Sequence, residues 1–329
     1  MRTLGQTGLT ISRVGFGAWA IGGPDWAVGW GSQDDAASIR AIRHAVDRGV
    51  NWIDTAAIYG LGHSEEVVAR AIAEMPAQDR PYVFTKCGQV WDPADRKSKN
   101  RVGRADSIRR EVEDSLRRLR VDVIDLYQMH WPAEDGASLE EYWGALLRLK
   151  EEGKVRAVGL SNHDVEQLEA AEKLGHVDTL QPPLSALRRS AIGSELPWCD
   201  AHDIGVIVYS PMQSGLLSGG FSAERAASLP DDDWRSSHPD FSGDALRRNL
   251  MVANAFGPIA RKHGVTPAAV AVAWVLSVPG VTGAIVGARS PAQVDGWAVA
   301  AAIVLDGEDM TEIAAAIRSS GAGEGPVPG

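Results

Sequence analysis

Short apolar runs alternate with amphipathic stretches along nearly the whole chain. RVGFG, NWID, YVFTK, VIDLYQMH, RAVGLSN, TLQPPLS, GVIVYSP and GAIVG predict eight buried strands. Between them the spacing predicts helices beginning near Gln33, Ser64, Arg104, Leu139, Val165, Gly193 and Asp244. In DSIRREVEDSLRRLR the apolar residues Ile108, Val112, Leu116 and Leu119 recur at intervals of four, four and three, which is one face of a helix. Ser64 reads as the N-cap of SEEVVARAIAE, with Glu65 and Glu66 in the first turn, where the helix dipole favours anions.

Eight βα units with near-continuous apolar strands predict an α/β fold, a closed (β/α)₈ TIM barrel, over an open doubly wound sheet. The open sheet loses further ground because GFGAWA and GLGHSE both lack the last glycine of a dinucleotide-binding GxGxxG. RTLGQTGLTISRVGFG predicts an N-terminal β-hairpin around a Thr-Gly turn. Gln213 to Gly243, after the seventh strand, is too long for a simple turn and reads as a flap over the barrel mouth. The last helix, EDMTEIAAAIRSS, leads into GAGEGPVPG; a single domain is expected over 1–329, with 319–329 a mobile tail.

Composition narrows the classes. The chain has 329 residues, 44% hydrophobic and 23% charged, which supports a sizeable core and argues against disorder. A net charge of −10 opposes a nucleic-acid or anionic-membrane surface. The longest apolar stretch, AAVAVAWVLSV, falls short of the ~20 residues that span a bilayer, and MRTLGQTGLT lacks a signal peptide's apolar segment. A cytoplasmic location is expected. Cys87 and Cys199 leave one disulfide or two thiols open, with the reduced form favoured. Histidines and cysteines show no metal-ligand spacing, so no metal is expected. No GxSxG elbow or P-loop is present.

The chemistry lies where the apolar runs stop. WIDTAAIYG, YVFTK and IDLYQMH deliver Asp54 and Tyr59, Lys86 and His130 at strand ends, on one rim if the strands are parallel. A free tyrosine titrates near 10, too high for proton exchange near neutrality. An ammonium at Lys86 is expected to lower it, with Asp54 holding Lys86 charged. His130 would orient a carbonyl oxygen or relay the proton. The set is a general acid aimed at a developing alkoxide, with no electron donor of its own, so a hydride-donating cofactor is required.

These segments resemble the aldo-keto reductase superfamily, in particular bacterial members of the inositol-utilisation and general-stress type. The likeness runs through LGQTGLTISRVGFGAWAIGG, DTAAIYGLGHSEEVVARA, TKCG, DLYQMHWP, GKVRAVGLSN, YSPMQSGLLSGG and GARSPAQV. It implies catalytic roles for Asp54, Tyr59, Lys86 and His130. It implies that Ser161, Asn162 and Gln181 meet the nicotinamide carboxamide, and that Tyr209 stacks under the ring. Ser210, Met212, Ser214, Gly215, Leu216 and Ser218 would wrap the pyrophosphate. Gly287, Ala288, Arg289 and Gln293 match the adenosine-phosphate region, and a guanidinium at Arg289 favours NADP(H) over NAD(H). Two departures stand out. Gly296 and Trp297 replace a common Glu-Asn, so adenine would stack on Trp297 or be held less firmly. Leu184 stands where many relatives have an aromatic residue.

The chain has 11 Trp against 5 Tyr and 5 Phe. Trp19, Trp26, Trp30, Trp91 and Trp131 fall at or just after strand ends and predict an apolar, flat-walled pocket. Such walls suit a sugar's C–H faces, an aromatic aldehyde or a polyketide-like ketone, so the expected partner is a small carbonyl or sugar-like molecule. The favoured function is an NADPH-dependent reductase of aldehydes or ketones. A sugar or alcohol dehydrogenase using NAD(P) stays open, as does a nicotinamide-binding sensor or regulatory subunit with little turnover.

Overall fold

The computed structural model describes residues 1–328. Twelve strands are present among them: β1 (Arg2–Thr3), β2 (Thr10–Ile11), β3 (Val14–Gly17), β4 (Trp52–Asp54), β5 (Tyr82–Cys87), β6 (Gln89–Asp92), β7 (Asp95–Arg101), β8 (Ile124–Met129), β9 (Val155–Ser161), β10 (Thr179–Gln181), β11 (Gly205–Val208) and β12 (Gly283–Gly287). Eight of them close a parallel barrel in the order β3, β4, β5, β8, β9, β10, β11, β12, with β12 pairing back onto β3. This is the expected (β/α)₈ barrel. Strand β10 ends at Gln181 rather than running through TLQPPLS, because Pro182 and Pro183 carry no N–H for the ladder.

Inward residues alternate along each strand, so one strand lines two levels of the interior. The lower level is apolar: Trp52, Phe84, Leu126, Ala157, Ile207 and Ile285 pack with Leu4, Leu9 and Ile11 of the β1–β2 hairpin. The hairpin seals this end. Trp52 fits inside only because Gly15 faces it; a Cβ there would lie 2.2 Å from the indole.

Several expectations needed correction. Ser64 is not the cap of its helix, which runs His63–Ile72 behind Gly62. Its hydroxyl donates to the Ala18 carbonyl and shares a hydrogen bond with Thr55, tying the helix to the barrel rim. Glu65 is in the first turn as expected, fully buried and paired with Arg118 at 2.6 Å. The apolar stretch before Pro279 is part of a helix, Pro267–Ser277, capped by the Thr266 side chain. It is buried on nearly every side and so carries no amphipathic period. The β6–β7 hairpin, a polar excursion after β5, was also unforeseen. The flap is a chain of 3₁₀ turns and one short helix, Ala223–Ala227.

Residues 321–326 lie against the turn at 187–189. Glu324 exchanges backbone hydrogen bonds with Leu187 and Arg189, and the Arg189 guanidinium donates to the Pro326 carbonyl. Gly323 allows this approach, since a Cβ there would sit 2.2 Å from the Leu187 carbonyl oxygen. Both cysteines are buried free thiols. Among the described residues no helix is long and apolar enough to cross a membrane.

Candidate active site

The upper level of the barrel interior is polar. Two residues beyond Trp52 and Phe84 on the same strands stand Asp54 and Lys86, joined at 2.5 Å with both side chains essentially fully buried. Lys86 also donates to the Thr55 carbonyl at 3.0 Å, and Gln181 donates to the other Asp54 oxygen at 2.9 Å. Burial raises the Asp54 pKa and lowers that of Lys86, and their mutual attraction opposes both shifts. The Lys86 ammonium lies 5.4 Å from the centre of the Tyr59 ring, which stands on the turn after β4. His130, just past β8, meets the same ring edge-on at 5.6 Å. All four expected residues therefore converge.

Their electrostatics differ from expectation at one point. Lys86 does not lower Tyr59: burial, then the Asp54 charge, hold the phenol well above its ordinary pKa. Burial outweighs the attraction of Lys86, part of whose field is offset by the Asp54 carboxylate in direct contact with it. His130 is driven well below its ordinary value by burial and by the nearby Lys86 and Arg101 cations, and its imidazole is neutral. The rim thus presents a protonated phenol and a neutral imidazole side by side.

Beside them lies a continuous hydrogen-bonded set. Ser161 Oγ donates to the Gln181 carbonyl at 2.9 Å, and Asn162 Nδ2 donates to the His130 carbonyl at 3.0 Å. Tyr209 donates its hydroxyl to Asn162 Oδ1 at 2.7 Å. Gln181 spends its amide N–H groups on Asp54 and Gln128, so its side-chain oxygen is free to accept. Acceptors at Gln181 and Asn162 flanking a tyrosine ring suit a carboxamide on an aromatic ring. The next loop, Ser210 to Ser218, takes left-handed backbone at Ser210, Gln213, Ser214 and Gly215. Leu216 is buried beneath it with Met212 packed on the core, and Ser218 Oγ donates to the Gly215 carbonyl. Small side chains and reversed backbone of this kind form an anion cradle. Gly287, the last residue of β12, and the buried Ala288 lead to Arg289, whose backbone N–H donates to Gln293. The chemistry of these donors and acceptors fits a nicotinamide dinucleotide.

A model of the aldo/keto reductase family matches residues 13–318. The chain belongs to that family. It is similar to the aldo-keto reductase YhdN of Bacillus subtilis, 35% identical over 94% of this chain and 91% of the relative. It is also similar to the NADH-specific methylglyoxal reductase of Escherichia coli, 34% identical over 94% and 95% of the two chains. Among solved structures, the glycerol dehydrogenase of Gluconobacter oxydans superposes with a TM-score of 0.86 at 38% identity, covering 97% of this chain and 95% of the other. The protein is thus an oxidoreductase of the aldo/keto reductase family.

In this family member the tryptophans divide. Trp26 and Trp91 pack with Trp19 around Tyr59, the ring centres of Trp26 and Trp19 lying 6.0 and 6.5 Å from it. Trp30 reaches the group through Trp19 at 5.1 Å. Trp131 does not join them and lies under the Arg101 guanidinium at 4.4 Å. Trp297 is 1% exposed within the core and offers adenine no face to stack on, which leaves the other alternative, adenine held less firmly; Leu184 is likewise buried. A hollow of about 610 Å³ lined by Glu113, Arg117, Arg120 and Lys154 lies at the opposite, amino end of the barrel strands, away from the tetrad.

Further contributors escaped the sequence reading. Trp234, in the flap, stacks on Trp19 at 5.5 Å, while Asp233 forms a backbone bridge with Trp30. Arg235 pairs with Asp233, lies 4.5 Å over the Trp30 ring and donates to the Ser214 carbonyl. Gln33 binds Arg289 through its side-chain oxygen at 2.6 Å instead of opening the following helix, which begins at Asp35. Gln128 could have been found, because inward positions alternate and it stands two residues before His130.

Proposed function

We propose that this chain is an NADP(H)-dependent carbonyl reductase acting on a small aldehyde or ketone. The observation that carries the reading is Tyr59, held protonated by burial at the barrel mouth between His130 and the Lys86–Asp54 pair. Neutral His130 donates an N–H to the substrate carbonyl oxygen and orients it. Tyr59 gives its proton to that oxygen as negative charge develops there, and Lys86 then stabilises the phenolate. Asp54 keeps Lys86 in place, itself fixed by Gln181. Ser161, Asn162, Gln181 and Tyr209 would hold a nicotinamide ring, the Ser210 to Ser218 loop its pyrophosphate, and Gly287, Ala288, Arg289 and Gln293 the adenosine end. Bound there, the dinucleotide supplies the hydride. The tryptophans exclude water around the acid.

Arg289 supports the choice of NADP(H). Its guanidinium is held by Gln33 and by the carbonyls of Trp30 and Ser32, which uses three of five N–H donors and leaves two for a 2′-phosphate. Titrating the protein with NADPH and NADH while following tryptophan quenching tests this, with Arg289→Ala as comparison. The variant is expected to weaken NADPH at least tenfold more than NADH, the loss of about 1.4 kcal/mol of charged hydrogen bonding. Equal losses, or tighter NADH binding by the unaltered protein, would transfer the reading to NAD(H). A second reading, an alcohol or sugar dehydrogenase working oxidatively, draws support from the 38% identity to the glycerol dehydrogenase.

A further inference from the structure

The turn after β9 is held by a buried pair outside the tetrad. His163, directly after Asn162, places Nδ1 2.8 Å from the Ser161 carbonyl oxygen and Nε2 2.9 Å from the Tyr142 hydroxyl. A carbonyl oxygen only accepts, so Nδ1 carries the proton. Burial holds the ring at a pKa of about 4, partly offset by that same hydrogen bond, so near neutrality Nε2 is a lone-pair acceptor and Tyr142 donates to it. Both bonds therefore have a fixed direction. Tyr142 is anchored in the helix Leu139–Glu151, 3% exposed, which connects the turn to the rigid outer layer.

What this tether restrains is a strained and highly connected turn. Asn162 sits at φ 61°, left-handed backbone that a non-glycine residue adopts only where its surroundings enforce it. Its amide bridges the His130 carbonyl and the Tyr209 hydroxyl, and Ser161 Oγ reaches the Gln181 carbonyl. If the Ser161 carbonyl shifts, three site elements lose register together: the histidine that orients substrate, the tyrosine under the ring, and the glutamine beside Asp54.

We propose that His163, oriented by Tyr142, is a positioning residue that sets the Ser161–Asn162 turn and so fixes which face of the nicotinamide meets the substrate carbonyl. This rests on reading the rim as a nicotinamide site. Neither residue touches substrate or cofactor; both act through the turn.

The test uses His163→Leu, Tyr142→Phe and His163→Asn, the last retaining an amide N–H that can donate to the Ser161 carbonyl. NADPH affinity is read from tryptophan quenching. Hydride transfer is read in single turnovers with NADPH deuterated at C4 on one face or the other. His163→Leu is expected to slow transfer about 10- to 100-fold, as for a reacting group displaced by about an ångström, while NADPH affinity changes little. Deuterium should then reach product from both faces, where the unaltered protein uses one. Tyr142→Phe should show a smaller version of both effects, and His163→Asn should restore rate and facial selectivity. A leucine variant with the original rate and single-face transfer would overturn the proposal. If that variant does not fold, Tyr142→Phe decides: unchanged rate and face selection overturn it. Failure of the unaltered protein to bind either nucleotide overturns the site reading itself, a result distinct from all of these.

Discussion

At the floor of the barrel Trp52, Phe84, Leu126 and Ile207 fill the interior, whereas two residues further along stand Asp54, Lys86, Gln128 and, just past the end of β11, Tyr209. Both levels face inward because strand side chains alternate. The floor is sealed by a hairpin and held by apolar contact, with one hydrogen bond from the Trp52 indole N–H to the Ser12 carbonyl, each large side chain contributing about 1.5–3 kcal/mol. The rim buries an ion pair whose desolvation costs several kcal/mol per charge before its attraction is counted. The lower half of each strand therefore stabilises a chemical arrangement that the upper half could not maintain alone.

The largest consequence is at Lys86. Lys86→Met leaves Asp54 buried without its cation, and unfolding in urea should show a loss of about 3–5 kcal/mol together with loss of turnover. Adding Asp54→Asn should recover much of the stability and none of the activity. Recovery of activity would break the assigned division between rim and floor. Trp52→Ala, at the floor, should cost a comparable 3–5 kcal/mol through its cavity, yet leave turnover per folded molecule unchanged. A rate defect in the folded fraction would mean that the floor shapes the rim more directly than the contacts suggest.

Acid sharpens the comparison with a smaller effect. Folded His163 stays neutral down to about 4 from an ordinary 6.5, so between those values the unfolded chain binds the extra proton and this contribution to stability is lost as pH falls. A shift of that size corresponds to about 3 kcal/mol. Glu111, raised by burial to about 7 from an ordinary 4.5, acts oppositely, its folded form binding the extra proton as pH rises through that window. The histidine is isolated by difference: the stability gap between the unaltered protein and His163→Asn should narrow by about 3 kcal/mol from pH 7 to 4 in urea titrations. A constant gap would contradict the buried neutral ring. The smallest effect belongs to Trp234→Ala, which should raise KM for small aldehydes about 3- to 10-fold with kcat nearly unchanged, the loss of one aromatic contact of about 0.5–1.5 kcal/mol. An unchanged KM would remove the flap from the substrate wall.

Much of this was legible in the chain because strand ends announce themselves. Asp54, Lys86 and His130 each terminate an apolar run, and the barrel follows from eight such runs separated by helices. What was illegible depends on contacts distant in sequence. Ser64 has an N-cap's residue type, but its hydroxyl is claimed by Ala18, 46 positions away. Trp234 lies in a segment without hydrophobic period, and contacts distant in sequence, among them the bridge from Asp233 to Trp30 and its own stacking on Trp19, bring it over the mouth. The Pro267–Ser277 helix was hidden by being apolar on all sides. The direction of the Tyr59 shift was missed because an ammonium was counted without the burial of the phenol and without the carboxylate touching that ammonium. The approach of the tail to residues 187–190 depends on Gly323 and Gly325, and its partners there are distant in sequence.

The central claim is that Tyr59 is the proton donor at the barrel mouth. Its direct test is single-turnover oxidation of bound NADPH by a small aldehyde in the unaltered protein and in Tyr59→Phe, with tryptophan quenching to confirm nucleotide binding in both. The expected result is unchanged NADPH affinity and a hydride-transfer rate lower by about 10²- to 10⁴-fold in the variant, the usual contribution of a general acid. A phenylalanine variant that reduces the aldehyde at the original rate would contradict the account.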